Sequence, residues 1–260
     1  MPNVSVLIPV YNCEPTLERA LDSVANQTYR DFEVVIVNNK CTDGSMDIVQ
    51  KFVDKMDIKI VTCDIQGIVP SLNTGLRNCE GNWIARQDGD DYWYPDKLQK
   101  QIDFLEKNPT VQILGTQIRL LDENGNVEKL GTFGKEVRYQ TEDKGIKLGL
   151  LYGQNQICHP SVVFSKDLRD VLGGYMQLYP LAEDLHLWLR AFPHFKFANL
   201  GEVLIDYTQR KSEKYDARVP ILLADTYFQT YKAFGLIKGE REDIAWDWQM
   251  KPGGHKHNVS

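Results

Sequence analysis

The run NWIARQDGDD (residues 82–91) takes an apolar segment, Trp83-Ile84-Ala85, straight into three aspartates, Asp88, Asp90 and Asp91. A short apolar segment without alternation reads as a strand buried on both faces. Like charges gathered at the end of such a strand repel one another. The cluster is therefore either a solvated turn capping a helix that begins near Pro95, or a seat for a hard cation that takes oxygen ligands. Gly89, inside the Asp88-Gly89-Asp90 triplet, permits a tight turn and close approach of a ligand.

Upstream, the same kind of segment recurs. VSVLIPV (4–10) and FEVVIV (32–37) read as buried strands, and KIVTC (59–63) as a third strand. Between them lie helical patterns: Leu17, Ala20, Leu21 and Val24 after Pro15, then Val49, Phe52, Val53 and Met56, then residues 68–79. An apolar residue at every third or fourth position marks one buried helix stripe. The βαβαβαβ alternation predicts an α/β fold, a doubly wound, mainly parallel sheet covered by helices. Ligands of such sheets bind at the carboxyl ends of the strands. The aspartates and the turn at 38–43 both follow strand ends, so they are expected in one crevice.

Downstream the pattern changes. A helix is expected at about 95–107, strands in VQILGT and IRLLD, and a hairpin at ENGN (123–126) from its Asn-Gly pair. QICHPSVVF (156–164) reads as a strand, AEDLHLWLRAF (182–192) as a helix and 196–207 as strand. These predict a smaller mixed sheet beside the parallel one. An aromatic helical segment at 219–237 and a loose tail to 260 form a C-terminal extension.

Composition narrows the function. The chain has 260 residues, 42% hydrophobic and 25% charged, with a net charge of −6. An acidic balance argues against affinity built on nucleic-acid phosphates. No apolar run approaches the roughly 18–20 residues that span a bilayer. The N-terminus lacks a basic leader region, so a cytoplasmic protein is expected, with peripheral membrane contact left open. Five cysteines without a CxxC pair suggest reduced thiols rather than a zinc site or disulfide framework.

Taken together, VSVLIPVYN, QTYRDFEVVIV, TDGS, SLNTGL followed by GNWIARQDGDD, HPSVVF and AEDLHLWLR resemble the family 2 glycosyltransferases of the GT-A fold, in the family's order over about residues 3–210. The resemblance implies a Rossmann-like GT-A domain at 1–218, with a nucleotide-sugar-binding half at 1–94 and an acceptor half at 95–218, followed by the 219–260 extension. It implies an inverting, metal-dependent transferase using Mn²⁺ or Mg²⁺ and a nucleotide-sugar donor, UDP-sugar first and GDP- or dTDP-sugar next. The acceptor would be a hydroxyl of a glycan, a lipid-linked sugar or another molecule.

The resemblance also implies roles. Asp90 would hold the metal, Asp88 the ribose or the metal's water shell, and Asp91 would stand behind them. Pro9 and Tyr11 would form the wall on which the base stacks, and Asn73 and Arg86 would bind the donor. Arg86 either pairs with the diphosphate or neutralises the acids beside it. Asp184, with Glu183 beside it, would be the base that takes the acceptor's proton; acids also favour helix N-termini for electrostatic reasons alone. His159 is either a contact for acceptor or metal or a satisfied structural histidine, and Trp188 either stacks on sugar or packs in the core.

Two positions depart from the family pattern. Its usual DDGSTD turn is here Asn38-Asn39-Lys40-Cys41-Thr42-Asp43, which puts Asn39 where an acid reads the base. Its YRxH segment is Tyr207-Thr208-Gln209-Arg210, and Arg210 can pair with phosphate but cannot ligate a metal. These leave room for a non-catalytic protein of the same fold. A nucleotidyltransferase is the weaker rival, because PVYNCEPT after the first strand lacks glycine, lysine and arginine.

Overall fold

The computed structural model describes residues 1–122, 136–177 and 182–209, with Thr230 and Lys232. Strands β1 (Val4–Val10), β2 (Phe32–Asn38), β3 (Ile58–Thr62) and β4 (Trp83–Arg86) are parallel in the order β3-β2-β1-β4. Helices α1 (Glu14–Ala25), α2 (Ser45–Gln50) and α3 (Ile68–Asn78) connect them. β1 is buried along its whole length because it pairs with β2 on one edge and β4 on the other.

The remaining strands are β5 (Tyr92–Trp93), β6 (Ile113–Leu121), β7 (Glu136–Val137), β8 (Val163–Ser165) and β9 (Phe197–Thr208). β8 runs antiparallel to β4 and to β6, β6 runs parallel to β9, and β5 closes the far edge against β9. The mixed strands are thus bonded directly onto the parallel ones in a single sheet. Helices α4 (Lys97–Lys107), α5 (Asp143–Leu151), α6 (Lys166–Leu172) and α7 (Glu183–Ala191) complete the described elements.

Side chains alternate along a strand, and the two faces build two cores. Val4, Val6, Ile8 and Val10 pack with Leu17 and Leu21 of α1, Val49 of α2 and Leu98 of α4. Leu7 joins the other face with Leu72 of α3, Ile146 of α5 and Leu187 of α7. The sheet is covered on both faces, as the alternation predicts.

Several expectations change in detail. The helix expected through Met56 ends at Gln50; Phe52 and Met56 stay buried in the turns that follow, while Val53 is exposed. The strand expected over 156–164 is broken at Pro160, where His159–Ser161 form a 3-10 turn and β8 begins only at Val163. VQILGT and IRLLD form one strand, β6, with register shifts between Gly115 and Ile118. The two residues of β5 were not expected, because nothing local marks them. The ENGN hairpin, Arg210 and the 238–260 tail lie outside the described residues. Of the 219–237 segment only Thr230 and Lys232 are described; Thr230 is buried, and its hydroxyl donates to the Leu189 carbonyl at 3.5 Å.

Close approach at the start of β4 leaves one position without side-chain space. Gly81 N–H donates to Ser5 Oγ at 2.8 Å, and a Cβ at Gly81 would stand 2.6 Å from Ser5 N and 2.7 Å from the Val4 carbonyl carbon. Those atoms are backbone and cannot swing away. We expect Gly81→Ala to cost about 2 kcal/mol, read as a lower denaturant midpoint at unchanged slope.

Candidate active site

A cleft of about 900 Å³ opens at the carboxyl ends of β1, β2 and β4. Its wall includes Pro9, Tyr11, Asn39, Arg86, Asp88, Asp90, His159, Glu183 and Asp184, so most of the residues expected from the sequence meet in one place.

The acidic loop after β4 is tied from three sides. Thr16 of α1 donates its hydroxyl to the Gly89 carbonyl at 2.8 Å, and Gln87 Nε2 donates to the Asp91 carbonyl at 3.0 Å. From the end of β9, the Thr208 N–H donates to Asp91 Oδ1 and its hydroxyl to the Asp90 carbonyl, both at 2.7 Å. Gly89 packs on Cys13, where an added Cβ would meet Sγ at 3.0 Å. In this loop, oxygens of Asp88, Asp90 and Asp91 lie within 4.8 Å of one another. Asp91 is 1% exposed, and its Oδ2 has no hydrogen-bond partner among the described residues. Burial first, and then the charges of Asp88 and Asp90, hold its carboxyl well above the ordinary aspartate range. Carboxylates crowded at this spacing, one oxygen buried and unsatisfied, are a donor set that fits a hard divalent cation.

Arg86 is 3% exposed and forms an ion pair with Asp88 through Nη1. Its Nε has no hydrogen-bond partner among the described residues. The arginine therefore does neutralise an acidic neighbour, and it lines the cleft while doing so.

Glu183 and Asp184 open α7. Asp184 Oδ2 accepts from Asn155 Nδ2 at 2.7 Å, and Oδ1 from the Leu185 N–H at 2.7 Å. Burial raises the Asp184 carboxyl, while the Leu185 and Asn155 bonds and the Arg86 charge pull it back. Burial, followed by the charge of Asp184, pushes Glu183 up to about 7. The helix dipole alone would lower both; desolvation is the larger effect here.

His159 is buried, with Nε2 hydrogen-bonded to the Tyr175 hydroxyl at 2.8 Å and Nδ1 3.8 Å from Glu183 Oε1. Burial, reinforced by the nearby Arg86 charge, holds it well below the usual histidine range, so it is neutral at pH 7. Trp188 is fully buried edge-on to His159, with centroids 6.2 Å apart, and does not line the cleft. Asn73 also lies off the cleft: Nδ2 donates to the Tyr175 carbonyl at 2.8 Å, and Oδ1 accepts the Tyr175 N–H at 2.9 Å. It pins the loop that carries Tyr175 behind His159. Arg210 lies outside the described residues.

Thr208, Asn155, Tyr175 and Gln66 were missed from the sequence. Thr208 and Tyr175 act through contacts far apart in the chain, and an isolated Asn or Gln carries no spacing signal. Tyr11 stands 47% exposed at the cleft, and the turn after β2 is fixed to its neighbour Asn12 by the Thr42 N–H on Asn12 Oδ1 at 2.9 Å. Among the described residues, no helix is long and apolar enough to cross a membrane.

Comparison with known proteins agrees with this geometry. A family model described as glycosyl transferase family 2 matches residues 5–169. The putative glycosyltransferase EpsE of Bacillus subtilis (strain 168) is 31% identical, covering 91% of this chain and 84% of its own length. The O-antigen biosynthesis glycosyltransferase WbnJ of Escherichia coli is 33% identical over 78% of each chain. Among solved structures, S. aureus TarS residues 1–349 in complex with UDP-GlcNAc superposes with a TM-score of 0.71 at 19% identity, covering 93% of this chain and 69% of that one.

The crowding of the acids has a cost in the metal-free protein. Asp91→Asn removes one buried charge and keeps an oxygen for the Thr208 N–H. A carboxyl raised in the folded state opposes folding at any pH above its unfolded value, so the gain from its removal is larger at high pH and shrinks as the pH falls toward the ordinary aspartate range. We expect a melting temperature about 2–4 °C higher at pH 8 without metal, and a smaller difference at pH 5, by scanning fluorimetry.

Proposed function

The chain belongs to glycosyl transferase family 2 and is a nucleotide-sugar-dependent glycosyltransferase, and we propose that it is metal-dependent and inverting, takes a UDP-sugar and glycosylates an acceptor hydroxyl in glycan assembly. One observation carries the reading: Asp88 and Asp90 after β4 and the Glu183–Asp184 pair opening α7 line a single cleft. The resemblance of TarS, bound to UDP-GlcNAc, supports the choice of donor, and the O-antigen assignment of WbnJ supports a glycan or lipid-linked acceptor. On this reading 1–94 carry the donor side and 95–218 the acceptor side.

Breaking the bond between the sugar and a nucleoside diphosphate leaves heavy negative charge on the phosphates. A divalent cation, Mn²⁺ or Mg²⁺, would be held by Asp90 with Asp88, Asp91 standing behind them, and would supply a Lewis acid for that charge. Arg86, always charged and largely desolvated, adds a fixed positive charge at the same wall. Pro9 and the exposed ring of Tyr11 offer a surface for the base.

An acceptor hydroxyl attacks only as it loses its proton. Asp184 takes that proton, its carboxylate held in place by Asn155 and by its own helix N-terminus. Desolvation makes it a stronger base than an exposed aspartate. Glu183, ionising near 7, sets the pH at which the pair becomes fully charged. Below that pH the pair retains one proton; above it both carboxylates are charged, and the Glu183 charge strengthens Asp184 as a base.

The first test is nucleotide release from UDP-, GDP-, dTDP- and CMP-sugars with Mn²⁺, Mg²⁺ or EDTA, with and without simple glycan acceptors. Release from one donor, abolished by EDTA and by Asp90→Ala, is the expected result; equal release in EDTA would overturn the metal dependence. Asp184→Asn should lower turnover by about 10²–10⁴-fold and leave nucleotide binding intact. The wild-type rate should rise through pH 7, and Glu183→Gln should move that limb to lower pH by removing the neighbouring charge. A limb that stays in place would exclude Glu183 from the titration.

A further inference from the structure

We propose that Gln66 reads the nucleotide base in this protein, and that Asn39, at the position where the family pattern has an acid, is the positioning residue that builds the loop carrying it. The proposal rests on the donor reading above and names the residue that executes it.

Asn39 is 3% exposed, and its side chain is already committed. Nδ2 donates to the Cys63 carbonyl at 3.1 Å and to the Ile65 carbonyl at 2.8 Å, and Oδ1 accepts the Gly67 N–H at 2.8 Å. A carboxamide has two N–H donors and one oxygen with two lone pairs. Both donors are spent, and the buried oxygen keeps a single free lone pair. Nothing remains that pairs two-fold with a base. A carboxylate could not take this place, because it would set negative oxygens against two carbonyls and lose both donors.

These bonds shape the loop from Cys63 to Gly67 between β3 and α3. Gly67 sits at φ +135°, open in practice only to glycine, and its carbonyl accepts the Ser71 hydroxyl at 2.9 Å. The loop is thus closed onto Asn39 at one end and onto α3 at the other. Gln66 stands exposed at its apex, on the same cleft as Tyr11, with no hydrogen-bond partner among the described residues. Its carboxamide offers a donor beside an acceptor, the complement of the N3–H and carbonyl edge of uracil. Tyr11 would hold the face of the ring and Gln66 its edge.

Calorimetric titration with UDP, GDP, dTDP and CDP, in Mn²⁺ and without sugar, tests this against pyrophosphate as a probe that has no base. Hydrogen exchange at the Gly67 amide reports on the loop. Gln66→Ala should weaken the best-bound nucleotide at least about fivefold, leave pyrophosphate affinity unchanged and leave Gly67 protected. Asn39→Asp should weaken the same nucleotide about tenfold and speed exchange at Gly67. Unchanged nucleotide affinity in Gln66→Ala overturns the proposal whether or not the Asn39 variant folds. So does an Asn39→Asp protein that binds UDP as tightly as wild type with Gly67 still protected, since the loop would then not depend on the Asn39 carboxamide. Wild-type protein that binds none of the four nucleotides would sink the donor reading itself, a result separable from either variant's behaviour.

Discussion

Thr208 decides where the acids stand. They grow from the end of β4, yet what fixes their loop from below is a backbone N–H and a hydroxyl at the end of β9, bonded to Asp91 Oδ1 and to the Asp90 carbonyl. The link works only if β9 arrives in the right register. That register is locked nearby, where Tyr92 pairs with Asp206. Asp206, buried, takes both Nε and Nη2 of Arg119 at 2.7 Å and the Tyr94 hydroxyl at 3.0 Å. An ion pair with one buried partner is weak evidence for stability and better evidence for specificity of arrangement. Here the arrangement is the position of three carboxylates.

The second constraint is the concentration of charge under low dielectric. Arg86, Asp88, Asp91, Glu183 and Asp184 influence one another across the cleft, and the arginine is the cation that the acids share. His159 adds no charge, since its burial keeps it neutral, and it reaches Tyr175 instead. The wall therefore holds several acids against one buried base. That imbalance suits a ligand that brings positive charge of its own, and the donor set for such a ligand lies at the same place.

Much of this was legible in the residues. The buried strands β1 and β2 announce themselves because each is a local apolar run, the third run, expected as a strand, forms the half-exposed edge strand β3, and the stripe on α1 falls where its period predicts. The acids and the Glu183–Asp184 pair could be found because charged residues at element ends stand out. What could not be read depends on partners distant in sequence. β5 exists only because β9 passes beside it. The break at Pro160 belongs to a segment whose apolar content still looks like strand. Asn39 is the sharpest instance: its residue type suggested a ligand contact, while its bonds run to backbone carbonyls of a loop more than twenty residues away. A polar side chain does not show in sequence whether its partner will be a ligand or the chain itself.

The single continuous sheet has a mechanical consequence. β8 is three residues long, and it is bonded to β4 on one side and to β6 on the other. Any bending of the parallel strands against the mixed ones would have to tear one of those ladders, and the two cores run across the same boundary. The body of the protein has no hinge there. Any closure around a bound ligand would therefore fall to the connections at the strand ends rather than to a swing of one half against the other.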